Sequence, residues 1–254
     1  MLDGIRKGKQ WYVTGGSGIS GYAQYDPATG SAQMCVHPKA RRRGIGAALA
    51  KAVLAKYPNA AWWAFGSLDS AAALAQSLGF SQARHLLLMR RELTADDPPA
   101  RPVPEGLQIS SFWSADAERI VELNSAAFSK HPEQGQLTLE DLKTATEDVR
   151  FENRDLLVGK LSDHIVGYHW MKRHSPTEGE VYVLAVDPDF HGRGIGRALL
   201  EAGLEVLRER GVTKVHLYVE SDSESAIALY DSARFTVSGH DTQYASKHSE
   251  RPSS

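Results

Sequence analysis

Two stretches of this chain carry one pattern, about 150 positions apart. The first reads Val36-His37-Pro38-Lys39-Ala40-Arg41-Arg42-Arg43-Gly44-Ile45-Gly46, and the second reads Val186-Asp187-Pro188-Asp189-Phe190-His191-Gly192-Arg193-Gly194-Ile195-Gly196. Each runs from an apolar, strand-like segment through a proline turn into a basic, glycine-rich loop, and then into an alanine- and leucine-rich helical run at residues 47–56 and 197–210. A strand that hands over to a helix in this way restricts the fold to a mixed α/β architecture. It also exposes backbone N–H groups with no intrahelical partner, at the positive end of the helix dipole, where phosphate oxygens settle. Glycines let the backbone approach such an anion without a Cβ in the way, and arginines add charge-assisted hydrogen bonds. Neither loop closes in Gly-Lys-Ser or Gly-Lys-Thr, so a P-loop is excluded. A dinucleotide fingerprint asks for a small residue at position 199, which is Leu.

The repeat, in a chain of 254 residues, predicts two domains. The polar, proline-rich segment TADDPPARPVPEG at 94–106 suits an exposed linker between residues 1–93 and 107–245, and residues 246–254 read as a disordered tail. With 42% hydrophobic and 24% charged residues, the composition is that of a globular protein with a core in each half. A formal net charge of -2 points to neither nucleic acid nor a membrane surface. The single cysteine, Cys35, has no partner for an intramolecular disulfide, and no apolar signal segment opens the chain, so a cytoplasmic location is expected. Lying in the apolar run of Met34, Cys35 and Val36, Cys35 is read as a buried strand cysteine. The ten histidines show no metal-type spacing with Cys, Asp or Glu, so no metal site is expected.

In the first half, hydrophobic alternation predicts strands at 10–14, 19–25, 31–36, 60–65 and 84–91, with helices at 44–56 and 69–78. The second half reads as a strand at 107–112, a helix at 114–128 capped by Ser114, and a helix at 138–149. Strands follow at 155–160, 164–173, 181–186 and 214–220, with helices after Gly194 and at 222–233, and a last strand pair at 235–245.

This order, with the glycine loop between a strand and a helix, resembles the GCN5-related N-acetyltransferase family. There the pyrophosphate of acetyl-CoA sits on an R/Q-x-x-G-x-G/A loop. The resemblance covers both halves and implies two tandem mixed α/β acetyltransferase domains. Arg41 fits the leading position of that loop in the first copy, whereas His191 departs from it in the second. Four further segments carry a narrower likeness: His131-Pro132-Glu133-Gln134-Gly135, Gly167-Tyr168-His169-Trp170-Met171-Lys172, Gly179-Glu180-Val181-Tyr182-Val183-Leu184 and Leu217-Tyr218-Val219-Glu220-Ser221-Asp222. Together they resemble the mycothiol synthase family of actinobacteria, a family of tandem enzymes that move acetyl from acetyl-CoA to the cysteine amine of cysteinyl-glucosaminyl-inositol.

The resemblance implies site residues. Glu180 takes the proton of the acceptor ammonium, directly or through water, and Tyr230 offers its phenolic proton to the CoA sulfur. Leu184, Ala185 and Val186 pair their backbone with the pantetheine arm, while His191, Gly192, Arg193, Gly194, Ile195, Gly196 and Arg197 hold the pyrophosphate. Ser223, Glu224, Ser225, Ala226, Ile227 and Ala228 flank the CoA, with Ser223 where the family commonly has Asn. Met34, Cys35, Val36, Arg41, Arg42, Arg43, Gly44, Ile45 and Gly46 are the matching positions of the first half. Glu133, Lys172, Glu180 and Tyr218 line the acceptor site.

Offsetting the halves by the repeat sets Gly30 opposite Glu180 and Ala75 opposite Tyr230, and neither can exchange a proton. The carboxyl half is therefore expected to react, and the amino half to bind CoA or only to pack. A full acetyltransferase domain begins with a strand and two helices, for which the residues before Gln10 leave little room, so the first domain is expected to lack them and one acidic acceptor contact with them. A monomer is expected from the family. Two other functions remain open at this level: acetyl transfer to a different small amine, and CoA binding without turnover.

Overall fold

The computed structural model describes residues 8–16, 18–94, 96–98, 101–129 and 134–246, the side chain of Gln134 excepted. Its residues form two compact units, Met1–Leu87 with Gly239–Ser254 and Leu88–Ser238. The C-terminal stretch is thus grouped with the first unit by its contacts, and the boundary falls inside two strands.

In the first unit, β1 (Lys9–Gly15), β2 (Gly18–Asp26) and β3 (Ser31–Val36) form an antiparallel meander. After α1 (Ile45–Leu54), β4 (Ala61–Phe65) joins β3 in parallel. Helix α2 (Asp69–Ser77) follows, and then β5 (Phe80–Glu92), of which residues 80–87 belong here. Residues 241–244 of the last strand, β11 (Thr236–Ser246), pair antiparallel with β4. A single long strand therefore stands where a strand pair is predicted, because the polar residues Ser238, His240 and Asp241 continue the extended run without a turn. Ala23, Ala32, Leu49, Val53 and Trp62 make the core between α1 and the sheet.

Cys35 is exposed, contrary to expectation. Successive strand side chains alternate between faces. Ala32 and Met34 turn toward the core, which leaves Cys35 on the other face of β3.

The second unit has an antiparallel run β6 (Leu107–Ser111), β7 (Leu156–Leu161), β8 (His164–Arg173) and β9 (Glu178–Val186), with β10 (Lys214–Glu220) parallel to β9. Its helices are α3 (Ala117–Ala127), α4 (Leu139–Thr146), α5 (Ile195–Glu209) and α6 (Glu224–Ser232). The segment before β6 is held against this unit by Arg91–Asp97 at 2.7 Å and by the Arg101 N–H, which donates to Glu201 Oε2 at 2.7 Å. Asp116, not the predicted Ser114, stands at the N-cap of α3, without a side-chain cap bond to the helix; its carboxylate instead reaches back to accept from the Trp113 N–H at 3.1 Å and pairs with Lys160 at 2.9 Å. Residues 114–116 form a 3-10 turn that precedes α3. Thr138 does cap α4, in a reciprocal box with Asp141.

Helix α5 is the main support of the sheet. Ile195, Leu199, Leu200, Leu204 and Leu207 are buried at helical spacing, each worth about 1.5–3 kcal/mol on transfer from water. Gly203 lets this helix approach β8: a Cβ there would fall on the His169 ring and within 2.8 Å of Met171 Sδ. His169 is fully buried, and its Nδ1 lies 2.9 Å from the Leu199 carbonyl oxygen, to which the Nδ1–H donates. Among the described residues, its Nε2 has no hydrogen-bond partner.

Two predictions follow from this packing. Gly203→Ala forces apart a rigid ring and a helix, so urea unfolding is expected to show a loss of about 2–4 kcal/mol; a neutral result would show that the helix can shift freely. Burial pushes the His169 imidazole down from 6.5 to about 4, against a smaller opposing effect of its hydrogen bond to Leu199. Below pH 6.5 the unfolded chain binds a proton that the folded chain refuses until about pH 4, so stability is full above this window and falls as pH drops through it. The fall is on the order of 3 kcal/mol, and His169→Asn is expected to remove that component from a pH series of unfolding curves.

Candidate active site

Strands β9 and β10 pair over only three positions: Lys214 with Glu178, Val215 with Gly179, and His216 with Glu180. Beyond Glu180 they separate. On its other side β9 remains bonded to β8 up to Val186, with His169 opposite Leu184, Tyr168 opposite Ala185 and Gly167 opposite Val186. One backbone edge of β9 is therefore left open from Val181 onward, inside a sheet rather than at its border. An extended amide-bearing chain can add to such an edge as a strand does. The first unit repeats the device, since β3 and β4 pair only at Ser31 with Ala61 and Ala32 with Trp62.

Each open edge leads into a glycine turn. Gly44 and Gly194 are left-handed, with φ of 80° and 77°, and each forms the N-cap of its helix. The first intrahelical bond is donated by Ala48 to Gly44 in one unit (2.9 Å) and by Ala198 to Gly194 in the other (3.0 Å). The N–H groups of Ile195, Gly196 and Arg197 thus precede the helical ladder, as do those of Ile45, Gly46 and Ala47, and they gather at the dipole's positive end. Gly46 and Gly196 have a different duty. A Cβ at 46 would press on Leu74 at 3.1 Å, and one at 196 would meet Val186 at 3.4 Å and Leu229 at 3.7 Å.

The basic side chains are partly engaged within the protein. Arg41 Nε donates to the Val36 carbonyl at 3.2 Å, and His191 Nε2 lies 3.0 Å from the Val186 carbonyl, the corresponding atom. The position where the second copy departs from the family pattern thus keeps the contact that ties the loop to the strand end. Arg197 bonds to Ser232 and approaches Glu201 at 3.5 Å. Arg193 stacks on Phe190 at 4.9 Å and is exposed, as are Arg42 and Arg43. Arg119 of α3 fixes the turn by pairing with Asp187 at 2.6 Å and donating to the Ile165 carbonyl at 3.3 Å. Ser223 is the N-cap of α6, and Glu224, Ser225, Ala226, Ile227 and Ala228 form the helix's first turns.

Glu180 is the third residue of β9, since the strand begins at Glu178 rather than at the predicted 181. Its side chain is 15% exposed, and its Oε2 lies 2.7 Å from His174 Nε2. Lys172 stands opposite Glu180 on β8, with its ammonium 3.1 Å from the centre of the Tyr182 ring. The register shifts between Trp170 and Met171, which makes Tyr182 an extra, bulged residue between Val181 and Val183. Tyr218 is exposed on β10, two residues from His216, with their rings edge to face at 6.0 Å. His216 and Tyr218 line a cavity of about 460 Å³ with Arg90, Glu178, Lys214 and Arg234. Tyr230 is buried on α6, its ring 5.9 Å from Phe235, and burial pushes its phenol up to about 12. Glu133 lies outside the described residues.

The structure therefore brings Glu180, Lys172 and Tyr218 to one end of the β8–β9–β10 pairing. It adds three residues that sequence reasoning passes over: His174, His216 and Tyr182. For His216 a signal existed, since strand alternation places it on the same face as Tyr218. His174 lies in the connection between β8 and β9, and only the folded hairpin brings it to Glu180. In the first unit, Gly30 precedes β3 and Ala75 is buried on α2, so no carboxylate or phenol stands in the corresponding places. Among the described residues, no helix is long and apolar enough to cross a membrane.

Known proteins match both units. A model of the acetyltransferase (GNAT) family matches residues 117–235, and one of the acetyltransferase (GNAT) domain matches residues 7–82. The mycothiol acetyltransferase of Propionibacterium freudenreichii subsp. shermanii is 42% identical over 239 residues, which is 92% of this chain and 76% of the relative. That of Salinispora arenicola is 44% identical over 230 residues, 85% of this chain and 74% of the relative. Among solved structures, a GCN5-related N-acetyltransferase from Sphaerobacter thermophilus superposes with a TM-score of 0.79 at 25% identity, covering 93% of this chain and 80% of the other. A tandem GNAT protein from the clavulanic acid biosynthesis pathway shares the fold, with a TM-score of 0.71 at 20% identity, covering 93% of this chain and 82% of the other. The chain is an acetyl-transferring enzyme with two GNAT domains, and it belongs to the mycothiol acetyltransferase family.

Proposed function

We propose that the chain moves acetyl from acetyl-CoA to the cysteine amine of cysteinyl-glucosaminyl-inositol, giving mycothiol, and that the chemistry takes place in the second unit. The single observation that carries the assignment of chemistry is Glu180 at the last paired position of β9 and β10, where the sheet divides. A donor laid along the open edge of Leu184, Ala185 and Val186, with its pyrophosphate on the turn from His191 to Arg197, brings its thioester toward that carboxylate. The acceptor approaches from the polar side, where Lys172 and Tyr218 stand, and the family resemblance adds Glu133 to the groups that recognise its hydroxyls and ammonium. A lined cavity of mixed charge, with Arg90, Glu178 and Lys214, suits a polyhydroxylated amine better than an apolar acyl acceptor.

An α-amino group has a pKa of about 7.7–8.0, so it arrives mostly protonated and must lose a proton before it can attack. Glu180 receives that proton. The nitrogen lone pair then adds to the thioester carbonyl, whose developing oxyanion takes a backbone N–H of β9 beyond Val183. As the intermediate collapses, the second proton of the attacking nitrogen leaves for water, the carbon–sulfur bond breaks and its electron pair departs with the sulfur as thiolate. Tyr230 faces the departing sulfur in this reading. Its phenol, held near 12, stays protonated across the working range, whereas a thiol ionises at about 8.5. Tyr230 therefore stabilises the leaving thiolate mainly as a hydrogen-bond donor, and full transfer of its proton is uphill.

The first unit keeps the open edge and the glycine turn without the proton-handling side chains. It binds CoA or serves packing alone, and the enzyme works as a monomer. An acetyl-CoA donor and a lone exposed thiol both fit a reducing cytoplasm.

Glu180→Gln keeps the shape of the side chain and removes its basicity. It is expected to lower kcat/KM by about 10²–10⁴ with unchanged far-UV circular dichroism. Tyr230→Phe should cost less, roughly tenfold in kcat, as the loss of one hydrogen bond to a developing charge. Mass spectrometry of the acceptor after incubation with acetyl-CoA checks the reaction itself. An acceptor that gains no acetyl group, or full turnover by Glu180→Gln, contradicts the reading.

A further inference from the structure

The carboxylate at 180 is one member of a cluster. His174 Nε2 lies 2.7 Å from Glu180 Oε2, and the rings of His174 and His216 stack at 5.3 Å with planes 28° apart. The ligating atoms of His174, Glu180 and His216 all fall within 4.8 Å of one another. The three residues come from the β8–β9 connection, from β9 and from β10. His174 is the solvent-facing member, 45% exposed, while the Glu180 side chain is only 15% exposed.

We propose that His174 and Glu180 act as one proton-accepting pair for the acceptor ammonium, with His174 passing the proton to solvent and the His216 ring holding the imidazole in place by stacking. This rests on the reading of Glu180 as the group that receives the proton.

The chemistry asks for such a pair. A lone carboxylate, near 4.3 in its ordinary state, is about three to four pKa units too weak a base for an ammonium near 7.7–8.0. An imidazole at about 6.5 removes most of that gap, and general base catalysis is most efficient when the base's pKa is close to the working pH. In balanced form, one ammonium N–H bond breaks and its electron pair stays on nitrogen as the nucleophile. The proton bonds to a Glu180 oxygen and passes to Nε2 of the His174 ring in its Nδ1–H tautomer, leaving carboxylate and an imidazolium whose Nε2–H donates to Glu180. Water then takes a ring proton, and exchange with solvent restores the Nδ1–H tautomer.

The surrounding groups favour His174 over His216 as carrier. Burial lowers the His216 imidazole below its usual range; Glu180 opposes that, His174 and Arg90 add to it, and Glu178 opposes it. Lys172 faces Glu180 from β8 but directs its ammonium at the Tyr182 ring, and Tyr218 meets His216 from the next position on the same face of β10. The 2.7 Å between His174 and Glu180 is the length of a charge-assisted hydrogen bond.

The test measures kcat and both KM values from pH 6 to 9 for the full chain, His174→Gln, His174→Ala and Glu180→Gln, with acetyl-CoA and cysteinyl-glucosaminyl-inositol. A glutamine at 174 still donates to Glu180 but carries no proton onward. It is expected to lose about tenfold in kcat/KM for the acceptor near pH 6.5–7, with the deficit closing toward pH 9, where the amine arrives unprotonated. Added imidazole should restore part of the His174→Ala activity, and the KM for acetyl-CoA should stay unchanged in both. A loss equal at every pH, or a wild-type profile in His174→Gln, overturns the pair while leaving Glu180 as base. Wild-type turnover by Glu180→Gln would instead remove the reading on which the pair rests.

Discussion

The second unit depends on a parallel pair of strands that is allowed to fail. β9 and β10 are bonded at their beginnings and released after Glu180 with His216. Releasing two central strands exposes backbone groups that each need a hydrogen-bond partner. That requirement suits the gap to the proposed donor, since an extended chain with amides of its own would satisfy the same groups that a strand would. Helix α5 makes the gap tolerable, since its buried leucines cover the sheet behind the opening. Arg119, paired with Asp187, anchors the turn at the far end of β9.

The bulge at Tyr182 belongs to the same device. An extra residue reverses the side-chain alternation along β9. Before it, Glu180 lies on the face that Lys172 and Tyr182 share, opposite the face on which Gly179 meets Leu207 and Val212 of the α5 side. After it, Val183 and Ala185 turn into the core beside Tyr168 and Trp170. One strand thus presents a carboxylate at its first half and a packed, open-edged backbone at its second.

Much of this was legible in the sequence. The glycine turns, the helices after them and most strands follow from periodicity and from the strand–turn–helix pattern, because those are local properties. Long-range pairing was not legible. No local signal says that residues 239–246 complete the first unit's sheet rather than closing a hairpin, or that Asp116 rather than Ser114 stands at the N-cap of α3. Cys35 was misread for a related reason: an apolar run names a strand, but only the register of its neighbours decides which face is inside. Glu180 is singled out by family resemblance alone, and its hydrogen-bond partner His174 is not, since the two meet only when the β8–β9 hairpin has formed.

The duplicated turn shows why a binding motif does not by itself establish binding. Gly44 is required for a left-handed helix cap, and Gly46 for packing against Leu74, whether or not an anion ever arrives. Arg41 closes its loop on the Val36 carbonyl, and Arg42 sits at φ 61°, a conformation that costs a non-glycine residue on the order of 1 kcal/mol. In the second unit the equivalent position is Gly192, at φ 75°, without that cost. Folding alone can therefore preserve every glycine of the first loop. A half-buried carboxylate beside two imidazoles is different. It adds nothing to the core, so its presence in the second unit, with no such group among the described residues of the first, is the reason for proposing the chemistry there.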